Sequence, residues 1–251
     1  KDKYYDNANM NDKHFNEFND FKHKKCDKPQ TPQILLDIVE LLIETGITIY
    51  AKVEGEGRAG SLKDEGTVKK LLMQHPKFKK YVEDAKPRAC GDIWVKDYNN
   101  TTIHVVNIKT SFGSTDNAYS RIAFAYALTD LKAEDLPLSM TSKKMFELLK
   151  TNKCDDPNKD LWYLHIDKKD SKNVMIRGAK QINEWKPNPD QSNVMQINWK
   201  KEKTMEPLHR TWDEAYNVMI GGVKQSLRKF LANYPVEVLE ECLPLNLFRR
   251  V

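Results

Sequence analysis

Asp92, Asn107 and Lys109 stand in two stretches that read as strands, and pairing those strands would bring the three side chains to one point. Asp92 begins the apolar run Asp92-Ile93-Trp94-Val95. A second run, Ile103-His104-Val105-Val106-Asn107-Ile108-Lys109, follows the turn-like Tyr98-Asn99-Asn100-Thr101. An antiparallel hairpin across that turn sets the start of the first strand beside the end of the second. Positions 107 and 109 then share a face, because strand side chains alternate. An acid, a near-acid and a lysine in that arrangement suit metal-assisted phosphodiester hydrolysis. Asp92 would hold a divalent cation and position 107 would supply a second oxygen. Lys109 would orient the attacking water or neutralise developing phosphate charge.

These residues resemble the signature of the PD-(D/E)xK nuclease superfamily, an Asp followed after a variable gap by acid-x-Lys on the neighbouring strand. Here it reads Gly91-Asp92 and Asn107-Ile108-Lys109. The likeness extends through Asp92 to Asp97, Asn107 to Thr110, the segment around Ala125-Tyr126, and Met195-Gln196-Ile197 leading to Thr211-Trp212-Asp213-Glu214. Together these look like the HincII and EcoRV type of restriction endonuclease, over residues 60 to 230 or so. The resemblance implies an α/β fold, a mixed central sheet flanked by helices with a restriction-endonuclease-like core. It implies Mg2+ held by Asp92, Asn107 and Ile108, and catalysis by Asp92, Asn107 and Lys109. It further implies cleavage of both strands of a short palindromic duplex site to blunt ends. A palindromic substrate matches a homodimer that presents one catalytic centre to each strand.

The chain departs from the family pattern at two positions. Gly91 stands where the family has Pro, a position that shapes the turn and binds no metal. Asn107 stands where the family has an acid; a carboxamide offers an oxygen but no charge, so metal affinity and transition-state stabilisation should both fall. An Asn form of the motif, an Asp→Asn replacement made to trap uncleaved DNA, and a merely polar strand end are the three readings of this residue. Two rival functions follow: a repair or branched-DNA nuclease of the same fold, and a non-catalytic DNA-binding protein on a nuclease scaffold.

The elements that must position this trio are legible in part. Ser61 as N-cap, with Asp64 three residues on, predicts a helix carrying Val68, Leu71 and Leu72 on its buried stripe. Glu65 falls in its first turn; the resemblance implies a catalytic role for it, aimed at the metal or bridging to the dimer partner as the family's helix glutamate does, and the other reading is an acid simply favourable near a helix N-terminus. Glu54 and Glu56 lie in a Gly-rich turn nearby. Upstream, Thr31 as cap and Pro32 in the first turn open a helix whose apolar face ends near Gly46. Ile47 to Val53 reads as a strand.

Downstream, Thr110 to Tyr119 reads as a polar loop and Ser120 to Leu131 as a helix. Asn117, Ser120 and Arg121 carry groups able to read base edges, touch phosphate or cap that helix. Leu161 to Asp167, Asn173 to Ala179 and Val194 to Lys200 complete the mixed sheet, and Trp212 to Ala232 forms a long helix in which Gly221-Gly222 marks a bend or a close contact.

The formal charge of +5 is modest and fits many proteins. It concentrates at Lys200, Lys201, Lys203, His209 and Arg210 beside Trp199 and Trp212, and the resemblance gives Lys201, Lys203, His209 and Arg210 a DNA-embracing role. Without a Ser, Cys or Asp at a convincing spacing, His209 is no general base. Cys26, Cys90, Cys154 and Cys242 lack the spacing of a zinc site or a disulfide framework. With no long apolar run and no secretory leader, the chain reads as cytoplasmic and without a membrane partner. Phe15, Phe18 and Phe21 form a stripe in the polar segment 1–30 that could pack on the body or on a second subunit. The body runs from 31 to 250, and the absence of repeats or Ser/Gly linkers makes 1–251 a single domain.

Overall fold

The computed structural model describes residues 31–47, 57–85, 90–112, 115–118, 121–137, 139–154, 156, 158–188 and 195–232. Helix α1 (Gln33–Thr45) buries Ile34, Leu35, Ile38 and Leu42 on one stripe. Its N-cap is Pro32 rather than Thr31. It ends at Gly46, whose φ of 59° belongs to the left-handed region that glycine adopts freely and whose N–H donates to Leu42 O. Helix α2 (Gly57–Gln74) starts a full turn before Ser61, so Ser61 is an interior residue and not the cap, and Glu65 lies beyond the first turn.

The central sheet has the order β1 (Val82–Asp84), β2 (Ile93–Lys96), β3 (Ile103–Ser111), β5 (Leu161–Asp167), β6 (Val174–Gly178). β1/β2, β2/β3 and β5/β6 pair antiparallel, and β3/β5 pair parallel. The parallel pairing requires a long crossover, supplied by α3 (Arg121–Leu128) and α4 (Ser142–Thr151). The result is a five-stranded mixed sheet flanked by helices.

Its two faces bury different cores. Val106, Ile108, Trp162, Leu164 and Ile166 pack with α1 and α2. Val105 and Tyr163 pack with α3, α4 and a second, three-stranded antiparallel sheet. That sheet has the order β4 (Thr115–Asn117), β8 (Met195–Asn198), β7 (Trp185–Pro187). Two expectations are corrected here. The segment after β3 contains a strand where a loop was expected, and Met195–Asn198 joins this second sheet instead of completing the first. Burial explains both. Met195 and Ile197 are fully buried on the inner face while Gln196 and Asn198 are half-buried on the other, so the small sheet closes over the main one.

A short helix α5 (Trp199–Glu202) follows, then α6 (Trp212–Ala232), which packs on β7 and β8. A Cβ at Gly222 would lie 2.3 Å from Met195 Sδ, so Gly222 marks a close helix-to-sheet contact, while Gly221 has open space around it. No described helix is long and apolar enough to cross a membrane. The strand expected over Ile47 to Val53 falls mostly outside the described residues, as do Glu54, Glu56 and the stripe Phe15, Phe18, Phe21.

Candidate active site

Asp92 enters the sheet one residue before the pair Ile93↔Val106, so it lies across from Asn107. Its N–H donates to Val106 O (2.8 Å), and its Oδ2 accepts the N–H of Ile108 at 2.6 Å. Gly91 makes this entry possible. Its φ is 78°, and a Cβ there would stand 2.4 Å from Val105 Cγ1 and 3.0 Å from Val106 O. A proline, locked near φ −65°, could not take this backbone. This turn therefore needs the glycine that stands here.

Burial pushes the Asp92 carboxyl up to about 6, helped by the nearby Glu65 charge and opposed by the Ile108 N–H, Lys109 and Lys69. Glu65, Lys109 and Lys69 thus all lie within Asp92's electrostatic field, as the pairing of strands and the packing of α2 on β3 require. Asn107 is half-buried, and its carboxamide has no side-chain hydrogen bond among the described residues. Lys109 is half-buried on the same strand face, opposite His165 of β5.

Glu65 is held by Lys69 at 2.9 Å, and Lys69 also reaches Asp84 at 2.9 Å. Burial pulls the Lys69 ammonium down, but the carboxylates of Asp84 and Glu65 outweigh it, and the net shift is upward. The helix itself is pinned by Asp64. This residue is fully buried, pairs with the buried ammonium of Lys168 just after β5, and accepts from Thr110 Oγ1 at 3.3 Å. Asp64 is therefore no capping partner but the tie between α2 and the ends of β3 and β5.

A hard divalent cation would meet only oxygen here, from Asp92, the Asn107 carboxamide and Ile108, whose carbonyl points to the same strand edge as its N–H. Those donors suit Mg2+ in type. Their charge is low, since Asn107 is neutral and Glu65 is paired with Lys69. Among the described residues no group of three or more His, Cys, Asp or Glu converges to hold a metal. The site fits a weakly held cation.

Further along the same face, Ser111 Oγ lies 2.8 Å from His165 Nε2, and the imidazole stacks on Trp199 at 4.5 Å. Burial drives His165 down to about 3, with Lys203 adding to the shift and Asp167 opposing it. Its buried Nδ1 has no partner. A Ser–His pair whose outer nitrogen meets no acid lacks the orienting group of a hydrolytic triad, so this pair packs rather than catalyses.

The basic cluster is rearranged by tertiary structure. Arg210 is buried and donates to the carbonyls of Lys180, Ile182 and Asn183, which corrects its expected place on a charged surface. His209 is half-buried and lines a water-sized cavity of 10 Å³ with Asp160 and Arg210. Lys203 is paired with Asp167, and exposed Lys201 pairs with Glu184 at 2.8 Å. Trp199 is core, and Trp212 stacks on Tyr216. Asn117 is exposed, Arg121 is half-buried in the first turn of α3, and Ser120 lies outside the described residues.

Local sequence held faint signals for some of what was missed. Asp64 sits four residues before Val68 on the apolar stripe, and Glu65–Lys69 has helical i,i+4 spacing. Nothing local marks Lys168, His165 or the amide of Gln196. Compared with protein-family models and with curated proteins, the chain finds no match.

Proposed function

We propose that this chain is a Mg2+-dependent type II restriction endonuclease with a PD-(D/E)xK core. As a homodimer it would hydrolyse both strands of a short palindromic site to blunt ends, in the cytoplasm. The observation that carries the reading is the Asp92 carboxylate held on Ile108 N–H at 2.6 Å, across from Asn107 and in the field of Lys109 and Glu65. The antiparallel β2–β3 hairpin supports it as well, because it brings the acid of one strand beside the strand that carries the lysine.

Asp92, Asn107 and Ile108 are the groups that would hold Mg2+. The ion would polarise the scissile phosphate and acidify an attacking water. Lys109, without an ion-pair partner among the described residues, would hold that water or offset charge building on the phosphate. Glu65 and Lys69 set the local field, and Asp64–Lys168 fixes the helix that carries them.

The neutral Asn107 favours a second reading, a DNA-binding protein that does not cut. A Mg2+-dependent digest of large mixed-sequence DNA by this chain and by Asn107→Asp separates the cases. Discrete fragments from Asn107→Asp alone identify an inactivated restriction enzyme. Fragments from both establish a working Asn-x-Lys site, smears without fixed ends point to a repair or branched-DNA nuclease, and no cleavage by either leaves the binding protein.

A further inference from the structure

The outer face of the small sheet carries a preorganised pair of amides that none of the catalytic reasoning uses. In β4/β8 the register sets Asn117 opposite Gln196, and in β7/β8 it sets Lys186 opposite Gln196. Their neighbours Met195 and Ile197 point inward and are fully buried, so Asn117, Gln196 and Lys186 share the outward side. Asn117 is exposed. Its Oδ1 accepts from Gln196 Nε2 at 2.9 Å and from Asn188 Nδ2 at 3.1 Å, and Asn188 is itself buried beside Ser226 of α6. Three amides thus fix one another, anchored from beneath.

This network leaves a particular pattern facing outward. With Asn117 Oδ1 occupied, Asn117 Nδ2 and Gln196 Oε1 have no partner among the described residues, so two hydrogen-bonded amides keep one free donor and one free acceptor. Interchanging oxygen and nitrogen in all three amides satisfies the same contacts and still leaves one donor and one acceptor. In the major groove only adenine presents, on a single base, the matching acceptor and donor, N7 and the N6 amino group; guanine shows two acceptors, cytosine a donor and thymine an acceptor with a methyl. The groove also admits a two-stranded antiparallel ribbon, and β4 and β8, which carry the two amides, form such a pair.

We propose that the Asn117–Gln196 amide pair reads an adenine in the major groove of duplex DNA, with Lys186 beside it facing phosphate. The proposal rests on the site-specific DNA reading above and gives that reading a base. The pair is held rigid before DNA arrives, so little ordering is required on binding. β4 follows β3 after three residues, and the inner face of the small sheet shares a core with Val105 of β3, so packed elements carry both the reading face and the Asp92–Lys109 centre.

The test is selection of bound duplexes from a randomised pool by the full chain, by Asn117→Asp and by Gln196→Met, without Mg2+. Asn117→Asp is isosteric and retains an acceptor for both amides while losing the outward N–H. The expected result is a wild-type consensus with an A·T pair at symmetric positions, and variants that accept any pair there while keeping the other positions and the parent melting temperature. A duplex with 7-deazaadenine at that position should bind the wild type roughly tenfold or more weakly. A wild-type consensus that both variants reproduce, or full affinity for the 7-deaza duplex, overturns the amide assignment and leaves the nuclease reading standing. A pool from which the wild type selects no consensus overturns both.

Discussion

Replacing Asn107 with aspartate should weaken the protein when no divalent cation is present and strengthen its response to one. Residues opposed across antiparallel strands have Cβ atoms roughly 5 Å apart. Two full charges at that distance repel by about 3 kcal/mol at an effective dielectric near 20. This is an upper value, because Asp92 already titrates at about 6 and the pair can keep a proton between them. For a chain of this size about 1 kcal/mol corresponds to roughly 2–4 °C, so in EDTA near pH 8 the variant should melt up to roughly 6–12 °C below the parent. Near pH 6 the gap should shrink, since the shared proton removes the repulsion. Millimolar Mg2+ should raise the variant's melting temperature well beyond the parent's shift, because a second carboxylate turns repulsion into coordination. Thermal melts of both proteins with EDTA and with Mg2+, at the two pH values, measure this. Equal melting in EDTA with equal response to Mg2+ would refute the claim that positions 92 and 107 form one site.

Lys109→Ala, made in whichever form cuts DNA, should abolish cleavage while electrophoretic mobility shifts show specific binding retained; undiminished cutting would remove Lys109 from the mechanism. Lys168→Met strands the buried Asp64 carboxylate and should lower stability by roughly 3–5 kcal/mol, most of it recovered when Asp64→Leu is added, as read by urea unfolding. His165 is neutral in the fold and titrates at about 3, well below its ordinary 6.5. Its contribution is therefore complete above pH 6.5 and lost as pH falls toward 3, by about 1.4 kcal/mol per pH unit. His165→Phe, which keeps the stack on Trp199, should show a shallower fall of urea midpoint between pH 6.5 and 4 than the parent, and parallel curves would contradict the assignment.

Strand and helix identities were written in local pattern where a single face decided them. The hairpin around Asn99-Asn100, the run Leu161–Asp167 and the helix Trp212–Ala232 lie where period and turn residues put them, because alternation or a helical stripe at those places has one stable burial. The meeting of Asp92 with Asn107 and Lys109 was legible for the same reason: a hairpin joins residues close in sequence. What the sequence could not decide was anything set by the packing of distant elements. The apolar-alternating Met195–Asn198 fits either sheet equally well by its pattern, and only the inner face it meets selected the smaller one. Arg210 and Lys203 read as surface charges, yet their partners are carbonyls near 180 and the carboxylate of Asp167, brought to them by chain folding. Asp64 looked like a cap because caps are local, whereas its counter-charge, Lys168, lies about a hundred residues on. Period and turn chemistry act over a few residues and so determined the strands and the hairpin carrying the trio. Burial and charge pairing act between elements, and only the tertiary structure decided which ions would be spent inside and which amides would be left facing out.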